Sequence, residues 1–358
     1  SKYCGHDSAI CLIDTVKKDI FAMSTERVTR IKHDFIDITP ILDTYNFKNV
    51  DYVAHSYNNF EDKSDDNELR AKMVYNKEIE KALRKIIRPK YIKDLNIPKS
   101  EKKKKIFNAL FNDFSSFKDY YSSKFKRAFT VNNSENNKRV FTSYIKKCFN
   151  EHGLKPKEIN FYEHHLCHAI PSYYFSKFNG KDAIALTIDG QGDGFFSKAY
   201  FFNNDLKYKL IGESSADNFG EDKYLSLGRI YHYFTEAMDL RGGSDEGKVE
   251  ALAAFGKVDD SLYSLLKDAT IINKEKVSID FDIKKITPFY DIAWLKERRA
   301  EIGDENFCAV VQRYLEDTIV EYLNLIHTKH PTTNLCLSGG VSANIIMSLN
   351  IYERTPFK

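Results

Sequence analysis

The chain has 358 residues, 42% of them hydrophobic and 29% charged, with a net charge of +3. That length supports a sizeable core and more than one small domain, and the composition is that of a soluble, globular protein. No apolar run is long enough to span a bilayer, no basic flank precedes an apolar core as in a secretory signal, and so small a net charge does not by itself imply nucleic acid. The six cysteines (Cys4, Cys11, Cys148, Cys167, Cys308, Cys336) form no CxxC pair. They read as reduced thiols, and a cytoplasmic location follows as the expectation.

In chain order, "KYCGHDSAICLIDTVKKDIFAMSTE" predicts a strand, a Gly-His-Asp-Ser turn, a strand, a Lys-Lys-Asp turn and a third strand. "NVDYVAHS" is a short apolar strand. From about residue 60 to 150 the chain is Lys-rich, with a "KKKK" run at Lys102–Lys105. This stretch predicts a solvated helical insertion, and the competing reading is a patch for a polyphosphate or RNA. "EINFYEH" is again a strand. "HHLCHA" follows, with His164 and His168 four apart. On a helix these two share a face, and His165 points about 100° away. Two imidazoles side by side are half of a metal site.

From Lys181 the opening pattern returns: "KDAIALTIDGQGDGFFSKAYFFNNDLKYKLIGESS" reads as an apolar strand, a Gly/Asp turn, a strand, an Asn-Asn-Asp turn and a third strand. The repetition predicts an α/β chain of two similar lobes, 1–180 and 181–358, facing each other across a cleft. Asp189 is predicted at the end of a buried strand running from Ala183 to Ile188. With His164 and His168 it would supply two nitrogens and one oxygen, which suits Fe(II), Zn or Mn and leaves positions open. The alternative is a capping Asp beside two surface histidines. "NFCAVVQRYLEDTIVEYLNLIHTKH" has the 3.6-residue period of a helix. "TNLCLSGGVSANIIMSL" follows as strand, Gly-Gly turn and helix start, a geometry that favours anions.

Six motifs, "GHDSAICLID", "STERVTRIKHD", "HHLCHA", "IDGQGDG", "SLGRIYHYFTEAMDLRGGSDEGKVEALAAFG" and "LCLSGGVSAN", resemble in order those of the O-carbamoyltransferases of the NodU/CmcH type. The resemblance spans the chain apart from the Lys-rich stretch. It implies an N-terminal domain of the acetate kinase/sugar kinase/actin architecture, related to tRNA threonylcarbamoyl-transfer proteins. It also implies transfer of a carbamoyl group from carbamoyl-adenylate to a hydroxyl of a small molecule or glycan. The adenylate would be made from ATP and carbamoyl phosphate by a YrdC-like domain, to which nothing here corresponds. A fourth metal ligand, an Asp, is expected beyond Lys358.

By the same resemblance His164, His168 and Asp189 are the metal ligands, with Fe(II) foremost and Zn or Mn as alternatives. His6 would take the acceptor's proton, oriented by Asp7. Lys32 and Arg30 would stabilise charge developing on the carbonyl. Gly190, Gly192 and Asp193 would shape a phosphate turn. Gly242, Gly243 and Glu246 would hold the adenosine, and Gly339, Gly340 and Asn344 would lie against the nucleotide. Each glycine can also be an ordinary turn or cap, and Tyr231 and Tyr233 read better as core than as acceptor pocket. One departure is Thr25 before Glu26 and Arg27, where the family carries Glu-Glu-Arg. Two other functions compete: threonylcarbamoyl transfer to tRNA, with the Lys-rich stretch as RNA surface, and a nucleotide-binding module without activity.

Overall fold

The computed structural model describes residues 9–30, 38–45, 47, 49–56, 134–205, 207–220 and 223–358. The first predicted strand, His6, Asp7, Lys32 and residues 60–133 lie outside the described residues. The chain groups into two compact units that part between Phe161 and Tyr162.

In the first unit, β1 (Ala9–Asp14) and β2 (Asp19–Ser24) form an antiparallel hairpin, with Ala9 opposite Ser24. The Asp14 carboxylate closes its turn by accepting from the N–H groups of Val16 and Lys17 at 3.0 and 2.9 Å. Two short helices follow, α1 (Thr25–Thr29) and α2 (Thr39–Thr44). Strand β3 (Tyr52–His55) pairs in parallel with β4 (Glu158–Phe161). Between them in sequence, the predicted helical stretch contributes α3 (Ser134–Glu151), which buries Ile145, Cys148 and Phe149. His152 Nε2 reaches Asp43 at 2.9 Å, tying the end of α3 to α2. Burial pushes the His55 imidazole down to about 4.

The second unit is built on a sheet in the order β12-β5-β6-β7. β5 (Ala183–Gly192), β6 (Phe195–Phe202) and β7 (Tyr208–Ser215) are the predicted antiparallel meander. β12 (Leu335–Ser338) lies parallel to β5, with Ser338 opposite Thr187. Residues Ala183 to Ile188 are buried on both faces, and their alternation sorts them between two layers. Ala183 and Ala185 pack against helix α4 (His164–Tyr174) through Ala169 and Tyr173. Ile184, Leu186 and Ile188 face the larger core. The histidine helix therefore packs within the second unit.

That larger core is closed by α5 (Leu227–Ala237), α6 (Glu246–Ala253), α7 (Asp260–Asp268), α9 (Ile292–Ile302) and the 26-residue α10 (Asp304–Lys329). The small elements β8 (Asn218–Gly220), β9 (Lys223–Tyr224), β10 (Thr270–Asn273), β11 (Ser278–Phe281) and α8 (Ile283–Ile286) complete the unit, with Ile279 and Ile286 buried in the same core. The predicted helical period of α10 is realised, with Phe307, Tyr314, Tyr322 and Ile326 fully buried or nearly so. Each such side chain contributes roughly 1.5–3 kcal/mol by leaving water. Phe234 of α5 stacks on Phe307 with ring centroids 4.5 Å apart. Tyr231 is also buried, its hydroxyl donating to Gln312 Oε1 at 2.9 Å. The chain ends on α11 (Ile345–Arg354), which follows β12 through the Gly-Gly turn. Among the described residues no helix is long and apolar enough to cross a membrane.

Candidate metal centre

β5 does not stop at Ile188. It runs on to Gly192, with its pairing register broken between Ile188 and Gly192. Such a bulge re-aims a side chain without ending the strand. Asp189 sits in it, and its Oδ2 lies 3.1 Å from His164 Nε2 and 3.2 Å from His168 Nε2. The two imidazole nitrogens are 3.2 Å apart. The sequence spacing thus becomes a near-equilateral triangle of donor atoms, partly exposed to solvent.

Protons alone cannot satisfy all three edges of that triangle. Asp189 Oδ2 accepts from both rings only if both Nε2 atoms carry hydrogen, and the third edge then sets N–H against N–H. A cation inside the triangle takes a lone pair from every corner. For metal–ligand distances of about 2.0–2.1 Å, tetrahedral ligand atoms stand about 3.3–3.4 Å apart, close to the edges here. The residues present therefore fit a divalent metal. Burial would raise the Asp189 carboxyl, but hydrogen bonds from His164, His168 and the Gly190 N–H hold it far below its usual range. Burial would lower His164, and the Asp189 carboxylate outweighs it and raises the ring.

The surroundings are shaped around this triangle. A Cβ on Gly192 would lie 2.0 Å from His164 Cδ2, so only glycine lets the ring approach. Asp193, at φ 50°, accepts from the His164 N–H through Oδ2 at 2.8 Å. Glu163 caps the same helix, accepting from Leu166 N at 2.6 Å and from the Tyr200 hydroxyl at 3.0 Å. On the other side of Asp189, Oδ1 accepts from Gly190 N at 2.7 Å. A Cβ on Gly340 would stand 3.2 Å from that same oxygen. Gly339, at φ 91°, backs onto Ile188, and a Cβ there would lie 2.3 Å from Ile188 O. Gly228, at the start of α5, touches Gly190 and Val341.

The structure therefore brings together His164, His168, Asp189, Gly190, Gly192, Asp193, Gly339 and Gly340. Gly242 and Gly243 lie in the loop before α6, which Glu246 begins. Gly242 lies against the His232 ring, and Glu246 accepts from the Gly243 N–H. Burial pushes His232 down to about 4, although Glu236 and Glu246 stand 3.5 and 3.8 Å from its nitrogens. Asn344 spends its side chain internally: Oδ1 caps α11 at Met347 N (2.8 Å), and the amide exchanges hydrogen bonds with Gln312. Arg30 is exposed in the first unit, at φ 60°. Sequence reasoning missed Glu163 and His232, which have near partners in Leu166 and Glu236, and Thr187, Gly228, Glu250 and Gln312, whose partners are distant in the chain.

Residues 1–358 match the family model described as Carbamoyltransferase N-terminus. The chain belongs to the carbamoyltransferase family. It is 41% identical over 372 residues to the uncharacterized protein MJ1058 of Methanocaldococcus jannaschii, covering 100% of this chain and 58% of that protein. It is 24% identical over 204 residues to MJ1051 of the same organism, covering 55% of this chain and 37% of that one. The chain thus spans less than two thirds of the length of these relatives. Among solved structures it is similar to the Ppx/GppA phosphatase of Aquifex aeolicus at 15% identity, covering 60% of this chain and 72% of that one, with a TM-score of 0.23. At that score the likeness carries no argument.

Proposed function

We propose that this chain carries out the transfer half of a metal-dependent O-carbamoylation, moving a carbamoyl group from carbamoyl-adenylate to a hydroxyl of a small molecule or glycan. The observation that supports it is the donor triangle of His164, His168 and Asp189, bordered by the Gly339–Gly340 turn on the second oxygen of the same carboxylate. A divalent metal there, with Fe(II) favoured and Zn or Mn as alternatives, would supply Lewis-acid polarisation of a phosphate or carbamoyl oxygen.

The chain's own residues do the rest in this reading. Asp189 holds both imidazoles through one oxygen and leaves the other facing the glycine turn. Gly339 and Gly340 present backbone without side chains, so a nucleotide phosphate can approach closely. Asn344 and Gln312 fix the shape of that turn. Gly242, Gly243 and Glu246 take the adenosine, with the Glu246 oxygen left free by Gly243 accepting from ribose. His6, oriented by Asp7, removes the acceptor's proton, and Lys32 with Arg30 offsets charge on the carbonyl oxygen. The bond from carbonyl carbon to phosphate oxygen breaks as the acceptor oxygen bonds that carbon, and AMP leaves. The two-lobe acetate kinase/sugar kinase/actin architecture, ATP and carbamoyl phosphate as precursors, and a YrdC-like activating domain in the full protein belong to the same reading.

The test supplies carbamoyl-adenylate directly and measures AMP release with a panel of hydroxyl acceptors. Release that depends on a divalent metal and disappears in His168→Ala supports the reading. Full activity after exhaustive chelation overturns its metal-dependent part. No release with any acceptor by a folded, metal-loaded protein overturns the transfer itself.

A further inference from the structure

His165 stands between the two candidate ligands in sequence and is not one of them. It is fully buried between α4 and the sheet. A leucine could fill such a space without bringing two polar nitrogens into it, and buried polar groups are costly unless each is hydrogen-bonded. Here each is. Nε2 lies 3.0 Å from Phe195 O, and Nδ1 lies 2.8 Å from Thr187 Oγ1.

The chemistry of the partners sets the direction of this chain. A carbonyl only accepts, so Nε2 carries the hydrogen. Nδ1 of the neutral ring is then an acceptor and receives a hydrogen bond from the Thr187 hydroxyl. That hydroxyl has one proton and two acceptors in reach, and His165 Nδ1 at 2.8 Å is nearer than Lys198 O at 3.1 Å. Its lone pairs remain for the Lys198 N–H at 3.2 Å. The chain therefore runs from β6 through β5 to α4 and back to β6, with every group used once in its proper sense.

Its endpoints matter. Thr187 lies two residues before Asp189 on β5, and both fall on the sheet face that meets α4. Phe195 pairs with Gly192 across the turn that carries Asp193, and Asp193 in turn caps the His164 N–H. A slide of α4 by one residue along the sheet breaks both ring bonds together. Buried polar pairs are best attested as devices that select one register among several.

We propose that His165 is a positioning residue, held as its Nε2–H tautomer between Phe195 O and Thr187 Oγ1, that sets the spacing of His164, His168 and Asp189. The proposal rests on the metal reading of that triangle. It extends that reading from the three donors to the groups that aim them, as outer partners of metal ligands commonly do.

Two measurements test it. The first uses Co(II) as probe, with affinity read by chelator competition and geometry by the visible absorption of the bound ion. Thr187→Val removes one hydroxyl at nearly constant volume. It should weaken Co(II) binding by about 10- to 100-fold and shift the spectrum. His165→Leu should do at least as much, and His165→Gln, which can still donate to Phe195 O, should fall between Leu and wild type. Thr235→Val serves as control: it removes a buried hydroxyl of α5 bonded to Tyr231 O and should cost stability without changing Co(II) affinity. Wild-type affinity and spectrum in a folded Thr187→Val protein overturn the proposal.

The second uses the metal-free protein with 15N-labelled histidine. His165 should appear as the Nε2–H tautomer, and Thr187→Val should move the ring resonances of His164 and His168. An Nδ1–H tautomer, or unmoved His164 and His168 signals, overturns the proposal. If wild type binds no Co(II), the metal reading fails by itself, and the NMR result still decides whether His165 sets the positions of its neighbours.

Discussion

Two helices of the second unit begin at the edge of the same site, and their N-termini are filled in different ways. α4 starts with its amides taken by Glu163, the residue just before it, and by Asp193 of the β5–β6 turn, 29 residues on from His164. α11 starts with Asn344 capping Met347 N, and with Glu250 of α6 reaching over to accept from Ile345 N and Ile346 N at 2.8 and 2.9 Å. A helix start after a glycine turn reads in sequence as a seat for an anion. Neither helix leaves that seat free. What differs is the use of side chains. The first turn of α4 projects His164, and its second projects His168, toward Asp189. The first turn of α11 exposes Ile345 and Ile346. α4 thus presents two of the three donor side chains of the triangle. α11 offers only the backbone of the turn before it.

The largest effects should come from breaking the α4 side. Asp189→Asn removes the charge that both imidazoles share and should lower divalent-metal affinity more than about 100-fold, beyond the range seen for outer partners. Gly192→Ala makes a stricter test because it changes no donor. Its added methyl would occupy the space of the His164 ring, so the ring must leave or the strand must shift. We expect metal affinity to fall to a similar degree and stability to drop by about 1–3 kcal/mol through overpacking. Metal titration followed by calorimetry checks both. Unchanged affinity in Gly192→Ala would mean that His164 is not held where the triangle needs it.

A smaller effect concerns the loop that precedes α6. His232 has a folded value near 4 against 6.5 for the unfolded chain, because burial disfavours its charged form. The groups facing it are Glu236 and Glu246, which favour the cation, and Arg229, which opposes it. The unfolded chain therefore binds this proton first as acid is added. The stability contribution is complete above 6.5 and is lost as the pH falls toward 4, by at most about 3 kcal/mol. His232→Gln should flatten that part of the profile. Urea midpoints of the two proteins at pH 7 and pH 4.5 measure the difference, and parallel profiles would refute it.

How far the sequence discloses all this depends on the range of each interaction. α10 and the β5–β6–β7 meander are legible because their periods are local and their turns carry Gly, Asn and Asp. The pairing of His164 with His168 is legible for the same reason, being one helical turn. The end of β5 is not. "DGQGDG" reads as a turn, whereas Asp189 to Gly192 continue the strand as a bulge whose glycine admits a ring from another element. His165 can be placed off the ligand face from spacing alone, but its partner Thr187 is 22 residues away and its tautomer is set by a carbonyl of β6. Asn344 is legible as a residue of the Gly-Gly turn. That its amide is committed to Gln312, 32 residues earlier, is not.

The smallest effect tests the α11 side of the comparison. Glu250 and Ile345 are 95 residues apart, so the carboxylate that fills this helix N-terminus belongs to the fold and not to the local motif. Glu250→Ala should cost about 1 kcal/mol, the usual worth of a cap together with its interaction with the helix dipole. It should also uncover two N–H donors beside the Gly339–Gly340 turn. Inorganic phosphate should then stabilise the variant more than the wild type, with a shift in melting temperature that grows logarithmically with phosphate concentration. Equal stabilisation of both proteins would show that the α11 N-terminus already accepts anions with Glu250 in place, and the contrast with α4 would fail. Selective stabilisation of the variant would support Glu250 as the residue that closes this end. In the proposed function, the phosphate contact would then be assigned to the glycine backbone beside Asp189.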